Sequence, residues 1–380
     1  MDTGAGLTVN AALYNSSNVT KGLDGSLTFA TKQFFNSATG TSANYFTING
    51  GTVTLDGGEN TLWQGAQGGT VGQHMAIGPG ATLQLNGNSQ MVGDLRSPNG
   101  TGYAASGGTI VNGGASATLI SVSSGSSWGG NISSGAGTIF YNKSGANTQT
   151  FYSDNTYAGG TLINGGVLTL VDDGRISGTS ALDVNHGLLS LDNGGRAFLG
   201  DRVADSAAIT MSGGAFNLSG RDLTNVTEAV GTLTLARGLN DVSVKPAANG
   251  TVRSVVLSIG NLTQNNNATL LFYGNATGTA NGQMGTNGRI TIANGASLLI
   301  NNIIPWASDG SDFASYVAPS AGNASGGLAT LLQAGYAGYT AGSFPAGSGA
   351  AAQNLRLVNA SYVVPDVNSG ASGTYLANAI

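Results

Sequence analysis

Asn155-Thr156-Tyr157-Ala158-Gly159-Gly160-Thr161-Leu162-Ile163-Asn164-Gly165-Gly166-Val167-Leu168-Thr169-Leu170 reads as two short alternating strands around a glycine turn. The same phrase stands at Phe46 to Leu55, where Asn49-Gly50-Gly51 makes the turn, and at Thr109 to Gly114. Met75 to Leu83 repeats it with Pro79 in the turn, and looser copies run from Leu182 to Leu191, Ile209 to Leu218 and Ile290 to Ile300. The apolar residue before each turn (Ile48, Ile77, Val111, Ile163, Val184, Met211, Ile292) recurs at gaps of 29, 34, 52, 21, 27 and 81 residues. The two large gaps fit two and three times a unit of about 26, so one coil of chain returns roughly every 20 to 35 residues, a solenoid period.

Alternating strands joined by glycine turns suit two architectures. An antiparallel sandwich places turns every 8–12 residues, and the Asn-Gly pairs at Asn49, Asn112 and Asn164 would serve as its hairpins. The recurrence at coil length, and a chain long for one sandwich, favour a parallel β-helix. Its coils stack about 4.8 Å apart, so Asn, Ser, Thr and Gly form ladders outside while Val, Ile and Leu stack within. The fold expected is all-β, a right-handed parallel β-helix with loop excursions, of roughly 11 to 18 coils and about 50–85 Å. One continuous solenoid would comprise N-terminal coils at 1–150, repeat-bearing coils at 151–200, further coils at 201–302, an irregular Gly/Ala/Ser-rich excursion at 303–352 and a terminal coil at 353–380. Gly327 to Leu332 reads as one short helix inside that excursion.

Composition agrees. Of 380 residues 63 are Gly and 37 Asn, against 4 Lys and 2 Glu, so the solvent faces of long helices cannot be supplied. Gly has no Gly-X-Y period, and 40% hydrophobic content opposes disorder. The longest apolar runs, Val255 to Leu257 and Leu298 to Ile300, fall far short of a membrane span. Net charge −5 with 13 scattered basic residues leaves no patch for nucleic acid or anionic lipid, and zero Cys removes thiol chemistry. Met1 to Gly4 begins no signal peptide, so the expectation is a cytoplasmic protein or a piece of a longer product.

Ser134-Gly135-Ala136-Gly137-Thr138-Ile139-Phe140, followed by the phrase from Asn155 to Leu170, resembles the passenger-associated (autotransporter-associated β-strand) repeat. The second half matches that family's N-T-Y-x-G-G-T-x-I-x-x-G-x-L pattern at almost every fixed position. The first half departs, because Ser133-Ser134 stands where a Lys is usual. A second stretch, Phe216 to Tyr316, is similar to a segment of very large bacterial surface proteins through Gly231 to Leu235, Ile304 to Ala307 and Asp312 to Tyr316. The resemblance implies a secreted β-helical passenger, a location outside the cell or on the bacterial outer surface, and a repeat that assists folding or export.

The candidate chemistry is sparse. Asp172-Asp173 with Arg175 and His186-Gly187 is similar to elements of polygalacturonase-like glycosidases, which need two carboxyls across the bond. Adjacent strand residues point to opposite faces, however, and Asp-Asp-Gly is an ordinary turn. Gly125-Ser126-Ser127-Trp128-Gly129 fits G-x-S-x-G without the helix a nucleophile elbow requires. His74 and His186 lack a third zinc ligand. Calcium could use Asp309 to Asp312 or Asp201 with Asp205. Trp63, Trp128 and Trp306, with Tyr336, Tyr339 and Phe344, could form a sugar platform.

No residue is assigned a catalytic, cofactor or metal role. The expected product is an adhesive or structural rod that self-associates into fibres or surface layers and meets surface glycans, with no membrane insertion of this segment. A polysaccharide-degrading enzyme and a phage or viral fibre are the alternatives. Open coil ends motivate self-association, through strand-like sequence at Leu7 to Leu13 and Asn354 to Val364.

Overall fold

The computed structural model describes residues 4–15, 17–35, 45–63, 73–100, 102–122, 125–247, 254–274, 287–321 and 326–338. The terminal coil expected at 353–380, with Tyr339, Phe344 and Asn354 to Val364, lies outside the described residues.

The two strands around each decisive turn do not pair with each other. Tyr45–Ile48 belongs to a twelve-stranded sheet and Thr52–Leu55 to a six-stranded one. Thr161–Asn164 joins the twelve-stranded sheet and Val167–Val171 a ten-stranded one. Asn-Gly therefore marks a corner of a coil rather than a hairpin, and the chain is a parallel β-helix. The twelve-stranded sheet runs from Val19–Lys21 to Gly288–Ile292, every pairing parallel. Its coil-to-coil spacing varies from 19 residues (Gln73 to Val92) to 33 (Val255 to Gly288). Twelve strands at that stacking give a rod of about 50 Å.

The marker at Val111 belongs to a different corner. Thr109–Asn112 lies in the six-stranded sheet and leads into Ala117–Ser121 of the twelve-stranded one. The looser copy at Ile290 to Ile300 keeps its first strand, but its second arm is a 3-10 turn, Gly295–Leu298.

The cross-section changes along the axis. Early coils visit three sheets, the third being Tyr14–Asn15, Gln33–Phe35 and Leu62–Trp63. After Asn131–Ser134 the six-stranded face thins to the parallel bridges Asp154↔Arg175 and Ile176↔Val203. It then merges with the neighbouring face in the long strands Val226–Arg237 and Val255–Gln264. One hydrophobic cluster runs from Phe29 to Ala329, built as ladders such as Ile163, Val184 and Met211.

Each fixed position of the repeat has a physical task. Asn155 is buried: its Oδ1 accepts from Trp128 Nε1 (3.3 Å) and the Ile132 N–H (3.0 Å), and its Nδ2 donates to the Ser153 carbonyl (2.9 Å). Tyr157, also buried, shares a 2.6 Å hydrogen bond with Thr161, which bonds Thr179 of the next coil at 2.8 Å. A Cβ at Gly159 would overlap the Ile139 carbonyl oxygen. Gly166 sits at φ +63°, where only glycine is unstrained.

The C-terminal end departs from the coil. Ile304–Ser308 still pairs in parallel with Thr269–Tyr273, but Phe313–Val317 and Gly327–Thr330 add as antiparallel strands. The short helix expected from Gly327 to Leu332 is thus a strand, Gly327–Thr330, followed by a turn. Leu328, Ala329 and Leu331 are buried, and strand pairing satisfies a backbone that a single helical turn would leave open.

Candidate functional site

Groups that could meet a ligand collect where the six-stranded face gives way to bridges. An open groove of about 450 Å³ runs along the rod there, crossing successive coils through Ala105, Asn131, Ser153, Asp154, Arg175 and Leu199. Its extent is roughly 19 Å if each coil contributes one strand spacing. Glycines make up some of its lining, and a Cβ on Gly130 would collide with the Gly108 carbonyl. Coils can therefore approach closely here and leave a trough above the backbone.

Polar side chains line the trough. Ser153 Oγ accepts from the Ala105 N–H (3.0 Å) and donates to the Gly129 carbonyl (2.8 Å). Asn131 Nδ2 donates to the Asp154 carbonyl. Asp154 pairs with Arg175 Nε at 3.2 Å and accepts from Ser177 Oγ at 2.7 Å, with both charged side chains partly exposed. Tyr103 and Phe198, beside the lining residues Ala104 and Leu199, are exposed.

The turn presenting Asp173 and Arg175 is held from within. Arg202 is fully buried, and its guanidinium donates to the Asp172, Gly174 and Asp192 carbonyls (3.0, 2.6 and 3.1 Å) and to Asn193 Oδ1. Burial lowers its pKa. The Glu228 carboxyl, two coils on from that turn, accepts the Arg202 and Val203 N–H groups (3.1 and 2.9 Å). Burial pushes Glu228 up to about 8, against the opposing pull of those N–H donors. Neither residue has a local sequence signal, since the partners lie 9 to 30 positions apart.

The structure separates Asp172 and Asp173, the two carboxyls weighed as a glycosidase-like pair. Asp172, at φ +54°, is buried and caps the Arg196 and Ala197 N–H groups, while Asp173 is exposed at the groove. The other carboxyl at the groove is that of Asp154, paired with Arg175. His186 lies in a second groove of about 370 Å³ with Leu239 and Asp241. Ser127 of G-x-S-x-G sits in mid-strand, Ser126–Trp128, with no helix behind it.

His74 is buried. Its Nδ1 accepts the Asp94 N–H (2.9 Å), Tyr45 Oη donates to Asp94 Oδ2 (2.6 Å), and the Arg96 guanidinium lies over the Tyr45 ring. This network packs beside the bulge that interrupts the Gln73–Ile77 and Gln90–Arg96 pairing.

Asp309 Oδ1 accepts from the Ser311 and Asp312 N–H groups, both at 2.8 Å, as a turn cap does. Among the described residues no three His, Asp or Glu side chains converge. The tryptophans do not form one platform. Trp128 is in the core, Trp63 is exposed beneath Lys32, and Tyr336 donates to the Gly327 carbonyl near the C-terminal end.

The passenger-associated-transport-repeat family model matches residues 142–170, the coil that carries the strand–turn–strand phrase. The chain is 30% identical over 241 residues to the adhesin BmaC autotransporter of Brucella suis biovar 1 (strain 1330). That alignment covers 61% of this chain and 6% of the adhesin's length. No solved structure matches the chain significantly. Repeat and likeness mark the chain as autotransporter passenger-type, a type displayed at the bacterial outer surface.

Proposed function

We propose that the chain is a non-enzymatic adhesive rod that holds surface glycans along its lateral groove. The observation that carries this reading is the groove itself. Its polar groups come from successive coils of one rigid stack, and it stays open to a long ligand. Asp, Asn, Ser and Arg side chains suit hydroxyl-rich ligands, and exposed rings at Tyr103 and Phe198 add faces on which sugars can lie. The adhesin likeness supports the same reading.

The test is binding to immobilised bacterial and host glycans, alongside an assay for new reducing ends. Retention that falls at least tenfold in Asp173→Ala and Arg175→Ala, with no bond cleavage, is expected. Turnover lost in Asp173→Asn would establish the enzyme instead. Self-association of the rod is a separate element of the proposal.

A further inference from the structure

We propose that the corner groove beside His186 binds a primary alkylammonium group, with the Asp241 carboxylate as its counter-ion. The hollow is about 370 Å³ and is built by successive corners between the twelve- and ten-stranded sheets. Parallel register stacks Val167, Leu188, Ala215 and Asp241 in one column. Their strand neighbours Leu168, Leu189, Phe216 and Val242 are in the core, so alternation turns the column outward. Ala215 is the smallest of the four and leaves a gap between Leu188 and Asp241. Gly187, Gly213 and Gly214 line the floor, and a Cβ on Gly213 would stand 3.0 Å from His186 Nδ1. The imidazole therefore lies close over bare backbone.

Asp241 is held there without a partner for its charge. Its N–H donates to the Gly214 carbonyl (3.0 Å), which fixes the residue in the ladder. Oδ1 is buried and meets no hydrogen-bond donor, so Oδ2 is the oxygen that faces the groove. Burial raises the carboxyl's pKa. Among the described residues no cation pairs with it. Lys245, four residues along the same face, lies over the Tyr273 ring at 5.8 Å instead. A carboxylate with one oxygen out of water and no counter-charge is costly to keep. An arriving ammonium gains more from it than from a fully solvated one.

The walls select the rest of the ligand. Val167, Leu188 and Leu239, the last 58% exposed, offer apolar surface along which a short alkyl stem can lie. The volume stands near the lower end of small-molecule sites, room for one side chain rather than a folded segment. The floor is braced from within. Buried Asn240 accepts the Gly213 N–H (2.9 Å) and donates to the Arg237 and Gly238 carbonyls, both at 3.1 Å. A lysine side chain and a free alkylamine share the chemistry this site would take. The site lies at a different corner from the lateral groove and does not rest on the glycan reading.

Histidine NMR on the full chain tests the assignment, since His74 and His186 are its two imidazoles and His186→Gln identifies the signal. Titration with Nα-acetyl-lysine methylamide and with butylammonium should shift the His186 resonances to saturation. The neutral isostere Nα-acetyl-norleucine methylamide should not. Asp241→Asn should weaken both amines at least tenfold. Ala215→Leu, which fills the gap and keeps the charge, should do the same, and circular dichroism of both variants should match the parent. Tighter binding of the lysine amide supports a peptide lysine as the source, and tighter binding of butylammonium a free amine. Glycan retention should be unchanged in Asp241→Asn, so the two readings fail separately. No shift with either amine, equal binding of the norleucine amide, or amine binding that survives Asp241→Asn would overturn the proposal.

Discussion

Two buried ionisable residues give the molecule opposed responses to pH. Lys143 occupies an inward position in register with Ile163, and its ammonium donates to the Ser144 and Gly145 carbonyls (2.6 and 3.1 Å). Burial without a carboxylate lowers its pKa to about 8. The unfolded chain then binds more protons between about pH 8 and 10.5, so stability rises with pH across that window. Glu228 behaves oppositely. Its pKa is pushed up from 4.5 to about 8, so the folded state binds the extra proton, and stability falls as pH rises through that range. Urea midpoints measured from pH 4 to 11 should therefore pass through a minimum near pH 8. Glu228→Gln should flatten the acidic limb and Lys143→Met the alkaline one. A parent profile that is flat or has a maximum there would contradict both assignments.

Coil corners show how much of the fold is legible in the sequence. The phrase from Thr161 to Leu170 declares strand, turn and strand because alternation and glycine are local signals. It cannot declare that its two strands join different sheets, since a parallel partner lies 19 or more residues away. The Val111 phrase looks identical yet turns another corner for the same reason. Gly327 to Leu332 reads as a helix because a short apolar run carries no period, and its strand form depends on Phe313–Val317 lying alongside. The groove is least legible, as Asn131, Asp154 and Arg175 meet only through stacking; of the candidates named from sequence, Asp173, Arg175 and Gly129 reach it. Corner glycines make a direct test. Gly159→Ala must push the Ile139 carbonyl away and separate neighbouring coils, with an expected loss of about 1–3 kcal/mol in chemical denaturation. Gly58→Ala, with open space around its Cβ but φ +82°, should lose about 1 kcal/mol through backbone strain alone.

The shortage of charge has a cause on the scale of the whole rod. Like positions of neighbouring coils stack about 4.8 Å apart, so a charge repeated up a ladder would repel its copies along the axis. The chain avoids this with buried amides that bridge coils. Asn112 Oδ1 accepts the Gly87 N–H (2.7 Å), and Asn240 Oδ1 accepts the Gly213 N–H (2.9 Å). With only 8% charged residues, stability comes from the continuous apolar core and these amides, not from surface ion pairs. The two sources respond differently to salt. Raising sodium chloride from about 0.05 to about 0.5 M screens exposed pairs such as Asp154–Arg175 and should move the unfolding free energy by less than about 0.5 kcal/mol. Sodium sulfate at the same ionic strength is excluded from protein surface and strengthens burial, so it should raise the thermal midpoint clearly. Equal shifts in the two salts would mean that electrostatics, not stacking, holds the rod together.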